Sequence, residues 1–574
     1  MNSDSLWAQS AQQFQQMLTQ GWSQALESFQ KMDLGANKAP MPMRMAPEKL
    51  QALQTQYLQE ATELWQKSLQ GQVAAQDRRF ADVSWAQNPL AAFSAAAYLL
   101  NARTMTQLAE AIDADEKTRA RIRFGVEQWI AAMSPSNYLA FNPEAQKKAL
   151  ETQGESLAKG IANLLHDIRQ GHVSMTDESL FEVGRNVATT EGAVVFENDL
   201  FQLIEYKPLT AKVYERPFLL VPPCINKYYI LDLSPENSMV RYLVSQGHSV
   251  YMLSWRNPDA SDHDLTMDDY LKLGVLDTLQ AIGHLQDKAH PVHAMGYCLG
   301  GTLLAIAAAA LAKAGRRGVM GYSDLPHLKT LSMLAAQTDF SEPGELGLFI
   351  DESQIGFLDN ITLGQGYLSG KQMAGSFQFL HSRDLVWTRR MREYLMGERE
   401  QPNDLMAWNA DTTRMPARMH HEYLTSLYLN NALATSSYRV DGRAVSLADL
   451  RLPIFMVGTE RDHISPWRSV YKLRHLCDAE MTFVLTSGGH NAGIISEPGH
   501  ARRSYRMAAR PAHGPWIEPE EWTAQATAHE GSWWPAWHQW LASKSSRKQA
   551  ARPVGAHAVL CDAPGEYVLQ RYAD

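Results

Sequence analysis

The spacing of hydrophobic and polar positions separates a helical first third of this 574-residue chain from a later part built of short apolar runs. From residue 47 to about 175, apolar side chains recur at helical intervals, for example at Leu50, Leu53 and Tyr57. We expect a helical N-terminal domain over residues 47–185. Its sequence contains no cluster of catalytic side chains, so we interpret it as scaffold.

The first 35 residues carry a separate amphipathic pattern and predict one helix over 1–35. Its apolar side chains lie at near-helical spacing among Gln and Ser: Trp7, Phe14, Leu18, Trp22, Leu26 and Phe29. The stretch that follows, GANKAPMPMRMAP, is typical of a flexible linker. The helix either packs on the rest of the protein, which we favour, or binds a hydrophobic surface or partner.

Beyond residue 191 the period changes from that of helices to that of strands. The segment AVVFENDLFQLIEY predicts a hairpin that turns at Asn198 and Asp199. Short apolar runs follow, each ended by a polar or glycine-rich turn: RPFLLVPP, HSVYMLSW, PVHAMGY, LKTLSMLAAQTDF, LPIFMVGTERD and MTFVLTSGGH. Helical patterns lie between most of them, so residues 190–574 predict an α/β fold with a doubly wound, mostly parallel sheet.

The alternation of strands and helices stops between about residues 342 and 449. This stretch is rich in Trp, Phe, Tyr and Met, as in FQFLHSRDLVWTRRMREYLMGEREQPNDLMAWNADTT. A long insertion after a core strand usually covers an active site. We therefore expect an inserted cap subdomain at about 342–449.

Composition and charge exclude several classes of protein. With 53 basic and 62 acidic residues the net charge is -9, which argues against nucleic acid as the main partner. The four cysteines have no CxxC or Cys/His ligand spacing, which indicates a reducing compartment and no metal site. The chain has no signal-peptide pattern and no apolar run of about 18 residues, so we expect a cytoplasmic protein without a membrane span.

One candidate nucleophile stands between a predicted strand and a predicted helix. The stretch HAMGYCLGGTLLAIAAAAL places Cys298 between two glycines. This is the strand, sharp turn and helix of the nucleophile elbow, with cysteine in place of serine; the glycines allow the tight turn. Alone, the motif also fits a small packed thiol.

Two further strand ends supply an acid and a base. VGTERDHISPW ends one strand with Asp462, and LTSGGHNAG ends the next with His490. Nucleophile, acid and histidine then follow in the order that α/β-hydrolases use. His490 would take the proton of Cys298, because the thiolate is the reactive form, and Asp462 would orient His490.

The same strand ends suggest an oxyanion site. The backbone N–H of Leu299, at the start of the helix, is one expected donor, and Ile225, in the loop after LLVPP, is the second. Cys224 beside it has no assignable base and is expected to be structural. His463 is either a helper near the nucleophile or a group behind the triad, and we favour the latter.

Cysteine in place of serine also bears on the reaction. Transfer of an acyl group from a thioester to serine gives a more stable oxyester, whereas transfer to cysteine keeps the group activated for a second attack. A thioester substrate and an alcohol acceptor are therefore the simplest inference.

Several longer stretches resemble the class I polyhydroxyalkanoate synthases: PPCINKYYILDLSPENSMVRYLVSQGH, SWRNPDAS, GYCLGGT, GTERDHISPW and HEGSWWPAW, with DRRFADVSW, MSPSNYLAFNPEA and ETQGESL in the N-terminal part. The resemblance runs from about Asp77 to Trp537. It implies an enzyme that polymerises (R)-3-hydroxyacyl-CoA, most simply 3-hydroxybutyryl-CoA, into a polyester and releases CoA. No cofactor is implied beyond the CoA thioester substrate.

The resemblance also assigns roles and surroundings. It makes Cys298 the carrier of the growing chain, Asp462 the triad acid and His490 the base. It places Trp408, in AWNADTT, near the active site, as an outer residue like His463. It further implies a homodimer at the surface of polyester granules in the cytoplasm, in contact with the growing polyester and with granule-associated proteins.

Two positions depart from the pattern of the family. Asn491 follows the catalytic histidine where many relatives have isoleucine, which leaves substrate preference open. Tyr297 replaces phenylalanine before the nucleophile, a change that we expect to be minor.

Two other functions stay as alternatives. A cysteine-dependent acyl-CoA thioesterase could use the same fold if water replaced the hydroxyl acceptor. A catalytically silent scaffold protein of the granule is a third hypothesis, against which the intact triad argues.

Overall fold

The structure is a computed structural model that describes residues 44–170, 176–286, 290–315, 318–373, 375, 387, 390–399, 401–545, 547–556 and 558–571. The chain divides into two compact units, residues 1–174 with 377–401 and residues 175–376 with 402–574. The helix predicted over 1–35 lies outside the described residues. Within the described part, no helix combines the length and the apolar character that a membrane span needs.

The first unit is helical, which confirms the predicted fold class of the N-terminal domain. Its helices are α1 Pro47–Leu69, α2 Val83–Gln87, α3 Pro89–Ala111, α4 Glu116–Ala132, α5 Pro143–Glu151 and α6 Glu155–Gln170. The helix starts have polar caps: the Asn88 side chain accepts from the first amides of α3, and Asp115 from Thr118 in α4. Small cores form where apolar stripes meet, as around Phe80, Trp85 and Tyr98.

The second unit is built around an 11-stranded sheet. Its strands are β1 Gly192–Glu197, β2 Phe201–Tyr206, β4 Pro217–Val221, β5 Ser249–Trp255, β6 Val292–Tyr297, β7 Leu328–Leu334, β12 Ile454–Thr459, β13 Met481–Thr486, β14 Ser504–Arg510, β15 Thr527–Glu530 and β17 Cys561–Asp562. They lie in the order β15-β14-β13-β12-β7-β6-β4-β5-β2-β1-β17. Short strands outside this sheet are β3 Lys212–Tyr214, β8 Tyr367–Leu368, β9 Met415–Pro416, β10 Arg439–Val440, β11 Arg443–Ala444 and β16 Lys548–Ala550.

The centre of the sheet is parallel and corresponds to the six predicted apolar runs. Strands β5, β4, β6, β7, β12 and β13 pair in parallel register. They are buried along nearly their whole length because helices cover both faces, and a strand buried on both faces is a continuous apolar run. The predicted α/β fold and the hairpin of β1 and β2 are confirmed.

The helices of the second unit are α7 Met239–Ser245, α8 Met267–Asp269, α9 Asp277–His284, α10 Leu299–Ala314, α11 Glu352–Gln365, α12 Asp404–Ala410, α13 Ala417–Glu422, α14 Trp467–Tyr471, α15 Leu473–Leu476, α16 Pro519–Gln525 and α17 Trp534–Lys544. Two π-helical segments, Tyr270–Leu276 and Tyr423–Leu429, continue α8 and α13. Helix α10 is buried from Leu299 to Ala310, and its small alanines allow close packing.

Candidate active site

The three predicted catalytic side chains follow parallel strands in the centre of the sheet. Cys298 comes directly after β6, Asp462 lies three residues after β12, and His490 lies four residues after β13. The carboxyl ends of parallel strands share one edge of a sheet, where ligands bind in open α/β folds. The structure brings the three side chains together at this edge.

The turn at Cys298 has the strained geometry of a nucleophile elbow. Its backbone has φ 52° and ψ -127°, in the left-handed half of conformational space that non-glycine residues avoid. Glycines surround Cys298 because the backbone segments here lie very close together. A Cβ atom added at Gly296 would collide with Gly301, and one added at Gly300 would collide with the carbonyl of Pro222. The turn thus holds the thiol at the start of α10.

The acid and the base are joined by a short hydrogen bond. His490 Nδ1 donates to Asp462 Oδ2 at 2.8 Å, and the Asp462 side chain is fully buried. The Thr459 hydroxyl also donates to Oδ2, at 2.9 Å, and the backbone amides of Ile464 and Ser465 donate to Oδ1 at 3.0 and 2.8 Å. The carboxylate is therefore held rigidly with its negative charge beside the imidazole.

The surroundings of His490 favour its protonated form. Burial alone would lower the pKa of the imidazole, but the charges of Asp462 and Cys298 outweigh burial and raise the pKa from 6.5 to about 10. A direct interaction with the Cys298 side chain adds to the same rise of the His490 pKa. This arrangement stabilises an imidazolium next to a thiolate, the form in which cysteine attacks carbonyl carbon.

Two backbone amides at the predicted oxyanion positions are free to bind a substrate oxygen. Among the described residues, neither the N–H of Leu299 nor that of Ile225 donates a hydrogen bond. The crowding of Gly300 against Pro222 shows that the loop after β4 lies against the first turn of α10. Both amides thus belong to neighbouring segments next to Cys298.

The loop that contains Ile225 is supported by the stretch around Trp408. The Trp408 indole is buried, and its Nε1 donates to the Lys227 carbonyl at 2.7 Å. The Thr413 hydroxyl donates to the Cys224 carbonyl at 3.1 Å. Trp408 therefore supports the loop that contains Ile225. The Cys224 thiol is buried, and burial raises its pKa, as expected of a structural cysteine.

His463 lies on the outer side of the turn after β12. Its side chain is 54% exposed, and its Nδ1 lies 4.0 Å from a carboxylate oxygen of Glu345. The neighbouring Gly344 packs against its backbone carbonyl.

Two aromatic residues whose electrostatics include the Cys298 charge were missed by sequence reasoning. Burial raises the pKa of Tyr423 and of Tyr428, and the negative charge of Cys298 adds to both shifts. They pack edge to face, with centroids 5.3 Å apart, and Tyr428 also packs on Phe340. The aromatic composition of residues 342–449 indicated a cover, but no local pattern singled out these two.

Tyr297, the neighbour of the nucleophile, contacts the base. The Tyr297 ring stacks on the His490 imidazole with centroids 5.5 Å apart, and its hydroxyl donates to Asn491 Oδ1 at 2.5 Å. The departure of Tyr297 from the family pattern was expected to be minor.

The described residues contain no group of three or more His, Cys, Asp or Glu side chains placed to hold a metal ion.

Comparisons with known proteins show which protein families this chain resembles. Residues 76–243 match a family model described as Poly-beta-hydroxybutyrate polymerase (PhaC) N-terminus, and residues 217–496 match the model of the alpha/beta hydrolase fold. The Poly(3-hydroxyalkanoate) polymerase subunit PhaC of Cupriavidus necator is 43% identical over 543 residues, which cover 92% of this chain and 89% of that protein. The Poly(3-hydroxyalkanoate) polymerase of Methylorubrum extorquens is 38% identical over 542 residues, covering 92% and 87%.

Proposed function

Because this chain belongs to the poly(3-hydroxyalkanoate) polymerase family of acyl-transferring enzymes, we propose that it polymerises (R)-3-hydroxyacyl-CoA into polyester and releases CoA. The substrate that we propose first is 3-hydroxybutyryl-CoA. The observation that carries the proposal is the alignment of Cys298, His490 and Asp462 at one sheet edge, with the nucleophile in a strained elbow.

The first half of the proposed cycle loads the enzyme. His490 takes the proton of Cys298, and the thiolate attacks the thioester carbonyl of the substrate. The amides of Leu299 and Ile225 stabilise the oxyanion. The bond between carbonyl carbon and CoA sulfur breaks, His490 returns the proton to the departing CoA thiolate, and the acyl group remains on Cys298 as a thioester.

The second half lengthens the chain. His490 takes the proton of the 3-hydroxyl of another hydroxyacyl-CoA, and the alkoxide attacks the Cys298 thioester. An ester bond forms, the thiol is regenerated with the proton from His490, and the chain, now one unit longer, is a CoA thioester that reloads Cys298. Each turn makes one ester bond and releases one CoA.

The aromatic cover explains why water does not compete in this scheme. Phe340, Tyr423 and Tyr428 pack against one another in and beside the inserted segment, and we take this aromatic group to cover the acyl-enzyme. A dry site favours attack by a bound hydroxyl and slows hydrolysis of the acyl-enzyme.

An incubation with (R)-3-hydroxybutyryl-CoA tests the proposal. We expect free CoA in solution, insoluble polyester in the pellet and little soluble 3-hydroxybutyrate, and no CoA release from the Cys298→Ala variant. CoA release with free acid as the main product would identify a thioesterase and contradict the proposal. The absence of CoA release from the wild-type protein would also contradict it.

The family resemblance supports two further parts of the proposal, a homodimer and a site of action at granule surfaces in the cytoplasm. Sedimentation of the purified chain tests the first. Fluorescence microscopy of a tagged chain in granule-forming cells tests the second, because diffuse fluorescence would contradict a granule location.

A further inference from the structure

One hydrogen bond joins the two catalytic turns. The Tyr297 hydroxyl donates to Asn491 Oδ1 at 2.5 Å. Tyr297 directly precedes Cys298 in the chain, and Asn491 directly follows His490. The bond therefore links the neighbour of the nucleophile to the neighbour of the base.

Tyr297 is well placed to fix the imidazole. It is the last residue of β6, it is 1% exposed, and it belongs to the main core of the second unit. Its ring stacks on His490 with an angle of 29° between the planes, and its hydroxyl lies 3.5 Å from the His490 carbonyl oxygen. One rigid side chain thus contacts both the ring and the backbone of the base.

Hydrogen bonds within the chain stabilise the turn around Asn491. The Asn491 carbonyl accepts hydrogen bonds from the amides of Ile494 and Ile495 at 3.1 and 3.0 Å. The indole of Trp533 donates to the Gly493 carbonyl at 3.0 Å, and that of Trp534 to Ile494 at 3.0 Å. These contacts hold the turn against the start of helix α17. The hydrogen bond from Tyr297 connects the same turn to strand β6.

We infer that Tyr297 and Asn491 are a hydrogen-bonded pair of positioning residues that holds the His490 imidazole within reach of the Cys298 thiol. The inference rests on the proposed function of the triad. Loss of the Asn491 amide would leave the buried Tyr297 hydroxyl without this partner, which is costly.

The ionisable groups around the pair allow a test by pH. Cys298 and Asp462 act on the pKa of both Tyr297 and His490. Burial raises the pKa of the Tyr297 hydroxyl well above its usual value, so the hydroxyl stays a donor throughout a titration of the thiol.

The test measures the pH dependence of Cys298 alkylation by iodoacetamide in the full-length protein, with the modified peptide quantified by mass spectrometry. The variants are Tyr297→Phe, Asn491→Leu and the double variant. Loss of one hydrogen bond should raise the apparent pKa of alkylation by about 0.5 to 1 unit and lower kcat for CoA release about three- to tenfold, with KM within about twofold. The double variant should shift no further than the more affected single variant, because either substitution already breaks the bond.

A matched control removes a hydroxyl of the same kind elsewhere. Tyr471 donates to the Ile517 carbonyl at 2.9 Å, away from the triad, so Tyr471→Phe should leave the Cys298 profile unchanged. The partly exposed Cys561 serves as an internal reference in every sample. Unchanged Cys298 profiles in both single variants with a lowered melting temperature, or additive shifts in the double variant, would overturn the inference. Alkylation needs no polymerisation, so shifted profiles in a protein that releases no CoA would support the pair and refute the proposed function.

Discussion

The Asp462→Asn variant tests the triad most sharply, because every acceptor position of the carboxylate is used. Oδ1 accepts from the amides of Ile464 and Ser465, and Oδ2 accepts from the Thr459 hydroxyl and His490 Nδ1. Asparagine has one oxygen and one NH₂ group. Its NH₂ must therefore face either two backbone donors or the imidazole.

Placing the NH₂ group towards the imidazole leaves fewer hydrogen-bond donors unpaired than placing it towards the two backbone amides. This placement changes the tautomer of His490. With NH₂ facing His490, Nδ1 must become an acceptor, so the proton of the neutral imidazole moves to Nε2. That tautomer has no lone pair on Nε2, the nitrogen left to take the thiol proton. Loss of a general base of this kind costs about 10²- to 10³-fold in kcat at pH 7.

The pH dependence of CoA release distinguishes this cause from misfolding. A cysteine without a base ionises near pH 8.5, so the defect of Asp462→Asn in the loading step, measured as the first CoA released per Cys298, should shrink about tenfold per pH unit between pH 7 and 8.5. Asp277→Asn is the matched control: that carboxylate accepts from Asn198 and Tyr322, not from the triad, and its variant should stay within about twofold of wild type. A defect below tenfold at pH 7, or one that does not vary with pH, would refute the reasoning.

Three further predictions follow from other parts of the second unit. Gly300→Ala should abolish CoA release, because the methyl group of the new alanine would collide with the Pro222 carbonyl and push the loop that contains Ile225 away from α10. CoA release at the wild-type rate would contradict this. Tyr428→Ala should admit water near Cys298 and raise the share of soluble acid among the products, measured by chromatography; an unchanged share would argue against the aromatic cover. Burial lowers the pKa of His248 to about 3, so below about pH 6.5 the unfolded chain binds a proton that the folded chain does not. Stability should therefore fall by up to about 1.4 kcal/mol per pH unit from this group as the pH drops from 6.5 towards 4, and melting temperatures of His248→Phe should fall less steeply.

The features that could be predicted from sequence share one physical cause. Strands such as β6, β12 and β13 are buried on both faces, so they appear as uninterrupted apolar runs whose ends are easily located. A polar residue at such an end lies at the edge where a sheet of this kind binds ligands. This reasoning led to Cys298, Asp462 and His490 as candidates, and the structure places them side by side.

The features that escaped prediction depend on contacts between distant segments. Strand β14 was missed because only Tyr505 and Arg510 of Ser504–Arg510 are buried, which leaves neither an apolar run nor an alternation, and β15 and β17 are too short to form a pattern. The bond between Tyr297 and Asn491 joins positions 194 residues apart. Sequence shows each residue as a separate departure, and only the fold shows that they meet.

The most direct test of the proposed chemistry is the mass of the Cys298 peptide after a brief incubation with (R)-3-hydroxybutyryl-CoA and an acid quench. Acyl transfer through the triad predicts a peptide that carries one or more 3-hydroxybutyryl units, with CoA released in proportion, and no adduct in Cys298→Ala. An unmodified Cys298 during steady CoA release, or an adduct on another side chain, would contradict Cys298 as the residue that holds the growing chain.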